Sequence, residues 1–288
     1  MIEISNLSFA YTRKAAPALN GLDLTLRPGE IFGLLGPSGA GKSTLHHILT
    51  RRLRNYAGDV RVLGRSLRRW GADYFHRIGV GFELPNHYEK LTALENLHFF
   101  GGLYGRYQDP LPLLERAGLG AAAHQRVSAW SKGMKMRLNV VRALLHDPNI
   151  LLLDEPTSGL DPVHAHALYD WLEELRDAGK TILLSTHRLH EAGERCDRLG
   201  LLKDGRLLCC DHPDALRQEV GRATVKVRYG DAGQHSSEFP LQGLSTEVGF
   251  SAILEEQIYS LHSQEASLET VFLKLAGTAS PQAEHHDG

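Results

Sequence analysis

The 288-residue sequence contains no apolar stretch approaching the roughly 18 to 20 residues that a membrane-spanning helix requires. If the protein acts at a membrane, a separate subunit must do the spanning. Cysteine is scarce. Cys196, Cys209 and Cys210 fit no metal-site spacing, and neighbours in sequence seldom bridge each other, so a disulfide scaffold is excluded and a reduced compartment is expected. The opening Met-Ile-Glu-Ile-Ser-Asn-Leu has neither the basic nor the apolar region of a secretory signal. Neither sign of charge is in excess: 32 Lys and Arg against 34 Asp and Glu leave a net charge of -2, which argues against a nucleic-acid partner. The local runs Arg51, Arg52, Arg54 and Arg65, Arg68, Arg69 read as solvated basic faces. There is no internal repeat at a solenoid period. What remains is an ordinary globular composition, 42% hydrophobic, sufficient for one large domain or one domain with an appendage.

Against these absences stands one dense motif. Gly36, Pro37, Ser38, Gly39, Ala40, Gly41, Lys42, Ser43 and Thr44 follow the apolar run Ile31 to Leu35 and precede the helical spacing of Leu45, Ile48, Leu49 and Leu53. Strand, glycine loop and helix in this order form a P-loop. Backbone N–H groups can wrap a polyphosphate only where no side chain blocks the approach, and the helix start adds the positive end of its dipole. Lys42 is placed to reach the β- and γ-phosphates, and Ser43 to offer its hydroxyl to Mg²⁺. The expected ligands are therefore ATP or another nucleoside triphosphate, with Mg²⁺.

Elsewhere the periodicities describe an α/β protein. Ile2, Ile4, Leu7, Phe9 and Tyr11, then Leu22, Leu24 and Leu26, predict half-buried antiparallel strands ahead of the P-loop strand. Residues from about 84 to 142 read as a helical insertion, with helices over Thr92 to Leu103 and around Met134, Leu138, Val141 and Leu145. Ile150 to Leu153 suits a parallel strand buried on both faces. One helical face is expected from Val163, Ala167, Leu168, Trp171, Leu172 and Leu175, a further strand from Thr181 to Ser185, and a hairpin turn at Asp204-Gly205. From about Gly221 short alternating runs such as Thr224 to Arg228 indicate a small α+β appendage reaching about Gly277. The final Thr278 to Gly288, small, polar and His-rich, reads as a disordered tail.

Asp154 and Glu155 end the buried strand at Ile150 to Leu153, where open parallel sheets place their ligands. Paired with a P-loop upstream, an Asp there holds Mg²⁺ and an adjacent Glu can polarise the attacking water. At this point the segment from Trp130 to Pro162, WSKGMKMRLNVVRALLHDPNILLLDEPTSGLDP, resembles the signature, Walker B and D-loop region of ATP-binding cassette ATPases. Ser131 and Gly133 match the Ser and second Gly of that family's Leu-Ser-Gly-Gly-Gln signature, while Trp130, Lys132 and Met134 depart from it. The Ser-Lys-Gly-Met form, together with the segment Leu268 to Leu275, looks like that of cassettes serving two-component exporters. The likeness continues through Ser158 to Asp161 as the D-loop and His187 as the switch histidine, and it covers about residues 1 to 215.

The resemblance implies a P-loop ATPase fold: a RecA-like parallel core, an antiparallel β layer and a helical insertion within residues 1 to 220, with an accessory region over 221 to 277. It implies that two cassettes meet head to tail, so that Ser131 and Gly133 of one copy complete the ATP site of the other and Asp161 helps to join the two sites. His187 would hydrogen-bond the γ-phosphate, Tyr11 would stack on adenine, and Glu83 stands where the family normally has a glutamine that reaches Mg²⁺. The implied partners are a second copy and membrane-spanning permease subunits docked near Phe82 to Leu91, which would place the chain peripherally at the cytoplasmic face of the cell membrane. Import is the alternative direction of transport. A soluble DNA-repair cassette would need a long coiled coil between Thr44 and Trp130, for which there is no room, and translation-associated cassettes usually carry two P-loops in one chain.

Overall fold

The computed structural model describes residues 1–12, 14–220, 224–264 and 267–278. All of the expected tail except Thr278 lies outside the described residues. Two compact units divide at Leu207/Leu208.

The first unit begins with β1 (Ile2–Phe9), β2 (Leu19–Leu26), β3 (Ile31–Leu35), α1 (Lys42–Leu49), β4 (Ala57–Val62) and β5 (Arg65–Ser66). Next come β6 (Ile78–Gly81), α2 (Ala93–Gly102), α3 (Pro110–Arg116), α4 (Lys132–Leu144) and β7 (Ile150–Asp154). It closes with α5 (Pro162–Asp177), β8 (Thr181–Thr186), α6 (Leu189–Arg195), β9 (Arg198–Lys203) and β10 (Arg206–Asp211), the last strand crossing the boundary between units. A four-stranded sheet has the order β2-β1-β4-β5, with β1 antiparallel to both neighbours. A six-stranded sheet has the order β10-β9-β3-β8-β7-β6, parallel from β9 through β6.

Burial explains this arrangement. Every residue of β3 and β8 and the first four of β7 are buried, as strands covered on both faces must be, whereas β2 buries alternate residues beginning at Leu22. In a parallel sheet all carboxyl ends lie on one edge. The registers Leu35↔Thr186 and Asp154↔Ser185 therefore bring the end of the P-loop strand and the acidic pair to the same rim.

Three local expectations shift. The first strand stops at Phe9, so Tyr11 lies beyond it, with 59% of its surface exposed. The P-loop helix ends at Leu49 and not at Leu53, because Arg51 adopts a left-handed backbone (φ 59°) that terminates it. The buried stripe of α5 runs through Ala165, Leu168, Tyr169, Trp171 and Leu172 and leaves Val163, in the first turn, 76% exposed.

The second unit contains α7 (Pro213–Val220), β11 (Thr224–Tyr229), β12 (His235–Pro240), α8 (Val248–Ile253), β13 (Ile258–Gln264) and α9 (Leu268–Thr278). Its sheet has the order β12-β11-β13, antiparallel throughout, with Val225 and Val227 buried against Phe250 and Ile253. Helices α7 and α9 pack together. Among the described residues no helix is long and apolar enough to cross a membrane.

Candidate functional site

The P-loop is shaped by what glycine alone permits. A Cβ on Gly36 would lie 2.3 Å from the Leu202 carbonyl oxygen. On Gly41, which begins α1 at φ 113°, a Cβ would lie 2.5 Å from the Ala18 carbonyl oxygen. The loop is thus pressed against neighbouring backbone at these two glycines. The Asp204-Gly205 turn between β9 and β10 braces it: Gly205 N–H donates to the Ala40 carbonyl at 3.0 Å, and Asn20 N–H donates to the Gly205 carbonyl at 2.9 Å. Lys42 Nζ donates to the carbonyls of Gly36 (2.6 Å) and Pro37 (3.1 Å). Burial pulls the Lys42 pKa below the usual lysine range, against the opposing pull of Glu155, Asp154 and Glu83.

Opposite the loop, Asp154 accepts a short hydrogen bond from Ser185 Oγ of the adjoining strand. Glu155 is strained. Its φ is 50°, a left-handed conformation that costs a non-glycine residue roughly 1–2 kcal/mol. Its amide donates to the Ser185 carbonyl at 3.0 Å, which fixes the turn. The residue is 8% exposed, and its Oε1 faces His187 Nδ1 at 2.9 Å. Its Oε2 is buried with no partner among the described residues. A buried carboxylate oxygen without a donor is costly to leave unpaired.

A cleft of about 360 Å³ joins these pieces, lined by Tyr11, Ala18, Ser38 to Thr44, Glu83, Asp154 and Glu155. Tyr11 stands over its rim, its hydroxyl 3.1 Å from Thr44 Oγ1 and its ring edge-on to Phe9 at 5.0 Å. The lining carries one ammonium, three carboxylates, the Ser43 and Thr44 hydroxyls and a run of backbone amides. A polyphosphate with a hard divalent cation fits this donor set, the amides and Lys42 facing phosphate oxygens and the Ser43, Glu83 and Asp154 oxygens suiting Mg²⁺.

Residues 19–158 match the family described as ABC transporter, and residues 223–265 match the fluoroquinolone efflux ABC transporter C-terminal domain. The fluoroquinolones export ATP-binding protein of Mycobacterium tuberculosis (strain CDC 1551 / Oshkosh) is 46% identical over 96% of this chain and 93% of its own length. The Nod factor export ATP-binding protein I of Paraburkholderia xenovorans is 37% identical over 96% of this chain and 97% of its own. This chain belongs to the ABC transporter ATP-binding proteins. Among solved structures, a bacterial ABC transporter cassette seen as a dimer is 28% identical, with a TM-score of 0.68 over 74% of this chain and 99% of that one. A dimeric post-hydrolysis cassette bound to ADP and Pi is 27% identical, again with a TM-score of 0.68 over 74% and 99%.

The remaining motif residues of this ABC ATPase lie outside the cleft of their own chain. Ser131 caps α4, its Oγ accepting from Met134 N–H at 3.2 Å, and Gly133 faces the Gly159 backbone so closely that a Cβ would lie 3.1 Å from its carbonyl oxygen. Asp161 caps α5, accepting from the N–H of His164 at 3.0 Å and facing its Nδ1 at 2.6 Å; the His164 backbone bond holds the carboxyl below the usual range. The segments around Ser131 and Ser158 are tied together by Lys132 Nζ reaching Ser158 Oγ at 3.4 Å. Sequence reasoning missed Ser185, whose contact with Asp154 depends on β8 lying beside β7. It also missed Ala18 and the bracing role of Gly205. Ala18 carries no sequence signal, because its contribution is a backbone wall.

Proposed function

We propose that the chain is the ATP-hydrolysing subunit of a two-component drug exporter, with fluoroquinolone-class compounds as its cargo. The observation that carries the catalytic part is Glu155: a buried carboxylate on a strained backbone, with Oε1 at His187 and Oε2 unpartnered, at the mouth of a phosphate-shaped cleft. Glu155 polarises the attacking water, and His187 Nδ1–H holds its carboxylate in place. Lys42 leaves its two carbonyls for phosphate oxygens, and the P-loop amides bind the rest of the triphosphate. Tyr11 offers its exposed ring to the adenine. Ser43, Asp154 and Glu83 would hold Mg²⁺, which would supply positive charge to offset that of the phosphates.

The signature surface of Ser131 and Gly133 lies away from its own cleft, which favours completion by a second copy set head to tail, with Asp161 near the joint. Closure on ATP and reopening after hydrolysis then drive permease subunits, which hold the cassette at the cytoplasmic face of the membrane. The permease seat is the groove beside Phe82 to Leu91. Export replaces import as the direction of transport, because the relatives named above are export ATP-binding proteins and the accessory region matches an efflux domain.

The test uses cells expressing this chain with a candidate multi-span permease, scored for energy-dependent loss of a fluorescent fluoroquinolone. Lys42→Ala should abolish the loss. Equal efflux with and without Lys42 would reject the exporter reading.

A further inference from the structure

Where α1 ends, the chain turns through Thr50 and Arg51 and returns into β4. The turn encloses a second cleft, of about 190 Å³, distinct from the nucleotide site. Its floor is apolar, from Ile48, Leu53 and Leu67, and its rim is formed by Arg51, Arg54 and Arg68. Tyr56 lies in the wall, with the Arg68 guanidinium 4.1 Å from its ring centre. The Tyr56 hydroxyl is buried and has no hydrogen-bond partner among the described residues.

Among the described residues the three arginines bond only to neutral acceptors. Arg51 Nη1 donates to the Gly71 carbonyl at 2.8 Å, Arg54 Nε to the Arg51 carbonyl at 3.3 Å, and Arg68 to the carbonyls of Gly58 through Nη1 at 3.0 Å and Tyr56 through Nη2 at 2.5 Å. Each guanidinium has five N–H donors, so most remain open. The nearby carboxylates are engaged elsewhere, Asp59 with Arg61 at 2.8 Å and Asp73 with Arg65 at 3.3 Å. Arg65, which also stacks on Trp70 at 4.8 Å, shows what a satisfied surface arginine looks like in this protein. Arg51 adds an independent sign. It occupies the left-handed position just past a helix end, where glycine is the usual choice, and such strain recurs at functional sites.

We propose that this cleft binds a phosphate group, with Arg51, Arg54 and Arg68 supplying charge-assisted donors and the Tyr56 hydroxyl completing the shell. The carboxyl end of α1 points a partial negative charge at this region, which opposes an anion, but about half an elementary charge is outweighed by three full cationic ones. The apolar floor strengthens the attraction by excluding water from one side. The cleft is too small for a helix and suits a single oxyanion. That chemistry can come from free phosphate or from the headgroup of an anionic lipid.

The test is calorimetric titration of inorganic phosphate into the full-length chain saturated with a non-hydrolysable ATP analogue. Flotation with phosphatidylcholine vesicles, with and without phosphatidylglycerol, runs beside it. Arg68→Gln and Tyr56→Phe should weaken phosphate binding at least tenfold, and Tyr56→Phe keeps the packing, so a folding failure in the arginine variant cannot decide the matter. Phosphate binding with this dependence establishes the site for free phosphate. Flotation that needs phosphatidylglycerol and shows the same dependence establishes the headgroup as the source. No binding of either probe, or binding indifferent to both substitutions, overturns the proposal.

Discussion

Two hollows lie on either side of Phe82 and Glu83, and they are built by opposite means. The nucleotide cleft is polar and takes nearly all its chemistry from one loop and one strand end: Ser38 to Thr44, and Asp154 with Glu155. The neighbouring groove, of about 670 Å³, is aromatic and cationic, walled by Phe75, Phe82, Tyr88, Phe100, Tyr104 and Arg142, residues drawn from all over the first half of the chain. The cleft holds its shape through backbone, by glycines that admit close approach. The groove is shaped by one helix gripping a loop. Along α4, Lys135, Asn139 and Arg142 fall on one face and reach the loop in turn. The Lys135 carbonyl meets His87 Nε2 at 2.9 Å, Asn139 Nδ2 donates to the Phe82 carbonyl at 2.7 Å, and Arg142 Nη1 donates to the Asn86 carbonyl at 2.7 Å. The helix whose first turn carries the signature therefore also positions the loop bearing Glu83.

If this contrast is real, damage to the cleft should strike chemistry and damage to the groove should strike loop order. The largest expected effect is in the cleft. Glu155→Gln should lower ATP turnover about 10³-fold, roughly 4 kcal/mol in the barrier, while ATP binding is retained and an ATP-dependent dimer accumulates. Phosphate release measured beside size-exclusion chromatography with ATP checks both parts, and wild-type turnover would remove Glu155 from the mechanism. Next, Gly41→Ala forces a Cβ toward the Ala18 carbonyl at a backbone conformation hostile to alanine. A loss of about 2–3 kcal/mol in thermal or denaturant stability is expected, with loss of nucleotide affinity. A variant as stable and as tight-binding as the parent would show that the loop is not backbone-limited.

The groove should answer differently. Asn139 is 1% exposed, and its amide bridges the Phe82 carbonyl and Arg142, whose Nη2 donates to Asn139 Oδ1 at 2.8 Å. Asn139→Ala leaves the part-buried Phe82 carbonyl unpaired and should cost about 1–2 kcal/mol of stability. ATP affinity should stay within about twofold of the parent, since no phosphate-facing group changes. Hydrogen exchange over residues 82–91 should quicken even so. An affinity loss as large as that of Gly41→Ala would erase the distinction between the two hollows.

The same contrast explains what the sequence could reveal. The P-loop, the acidic pair and the buried parallel strands are legible because each is a contiguous run whose residue types are dictated by local physics: glycine where backbone must approach, β-branched and Leu residues where both faces are covered. β1 and β2 of the four-stranded layer, the Asp204-Gly205 turn and the α+β character of the second unit were readable by the same logic, whereas β4 and β5 of that layer were not expected. Ser185 and Ala18 were not, because their roles depend on which strand lies beside which. The end of α1 was misplaced because Leu53 keeps helical spacing while Arg51 breaks the backbone, and an arginine gives no warning of a left-handed turn. Val163 continued an apolar pattern into a first turn that faces solvent. The stripe on α4 that holds the loop could not be read at all, since Lys135, Asn139 and Arg142 look like an ordinary polar helix face.

The smallest effect separates the hollows by pH. His87 lines the groove, its Nε2–H donating to the Lys135 carbonyl and its Nδ1 buried without a partner among the described residues. Burial, with the nearby Arg142 and Lys135 charges, pushes its pKa down to about 4 despite the carbonyl bond, which favours the charged form. A depressed folded-state value means that the unfolded chain binds the proton more readily. The contribution of His87 is therefore present above its ordinary value near 6.5 and is lost as pH falls toward about 4. Between about pH 7.5 and pH 5.5 the loss should be about 1 kcal/mol. His46 and His146 are also lowered by burial and slope the same way, so the measurement must be a difference between proteins. His87→Gln keeps a side-chain donor for the Lys135 carbonyl and does not titrate in this range. Denaturant midpoints at the two pH values should accordingly converge in the variant by that amount. Parallel pH profiles would mean that the groove histidine is already solvated, and that the loop bearing Glu83 is held less firmly than its hydrogen bonds to α4 imply.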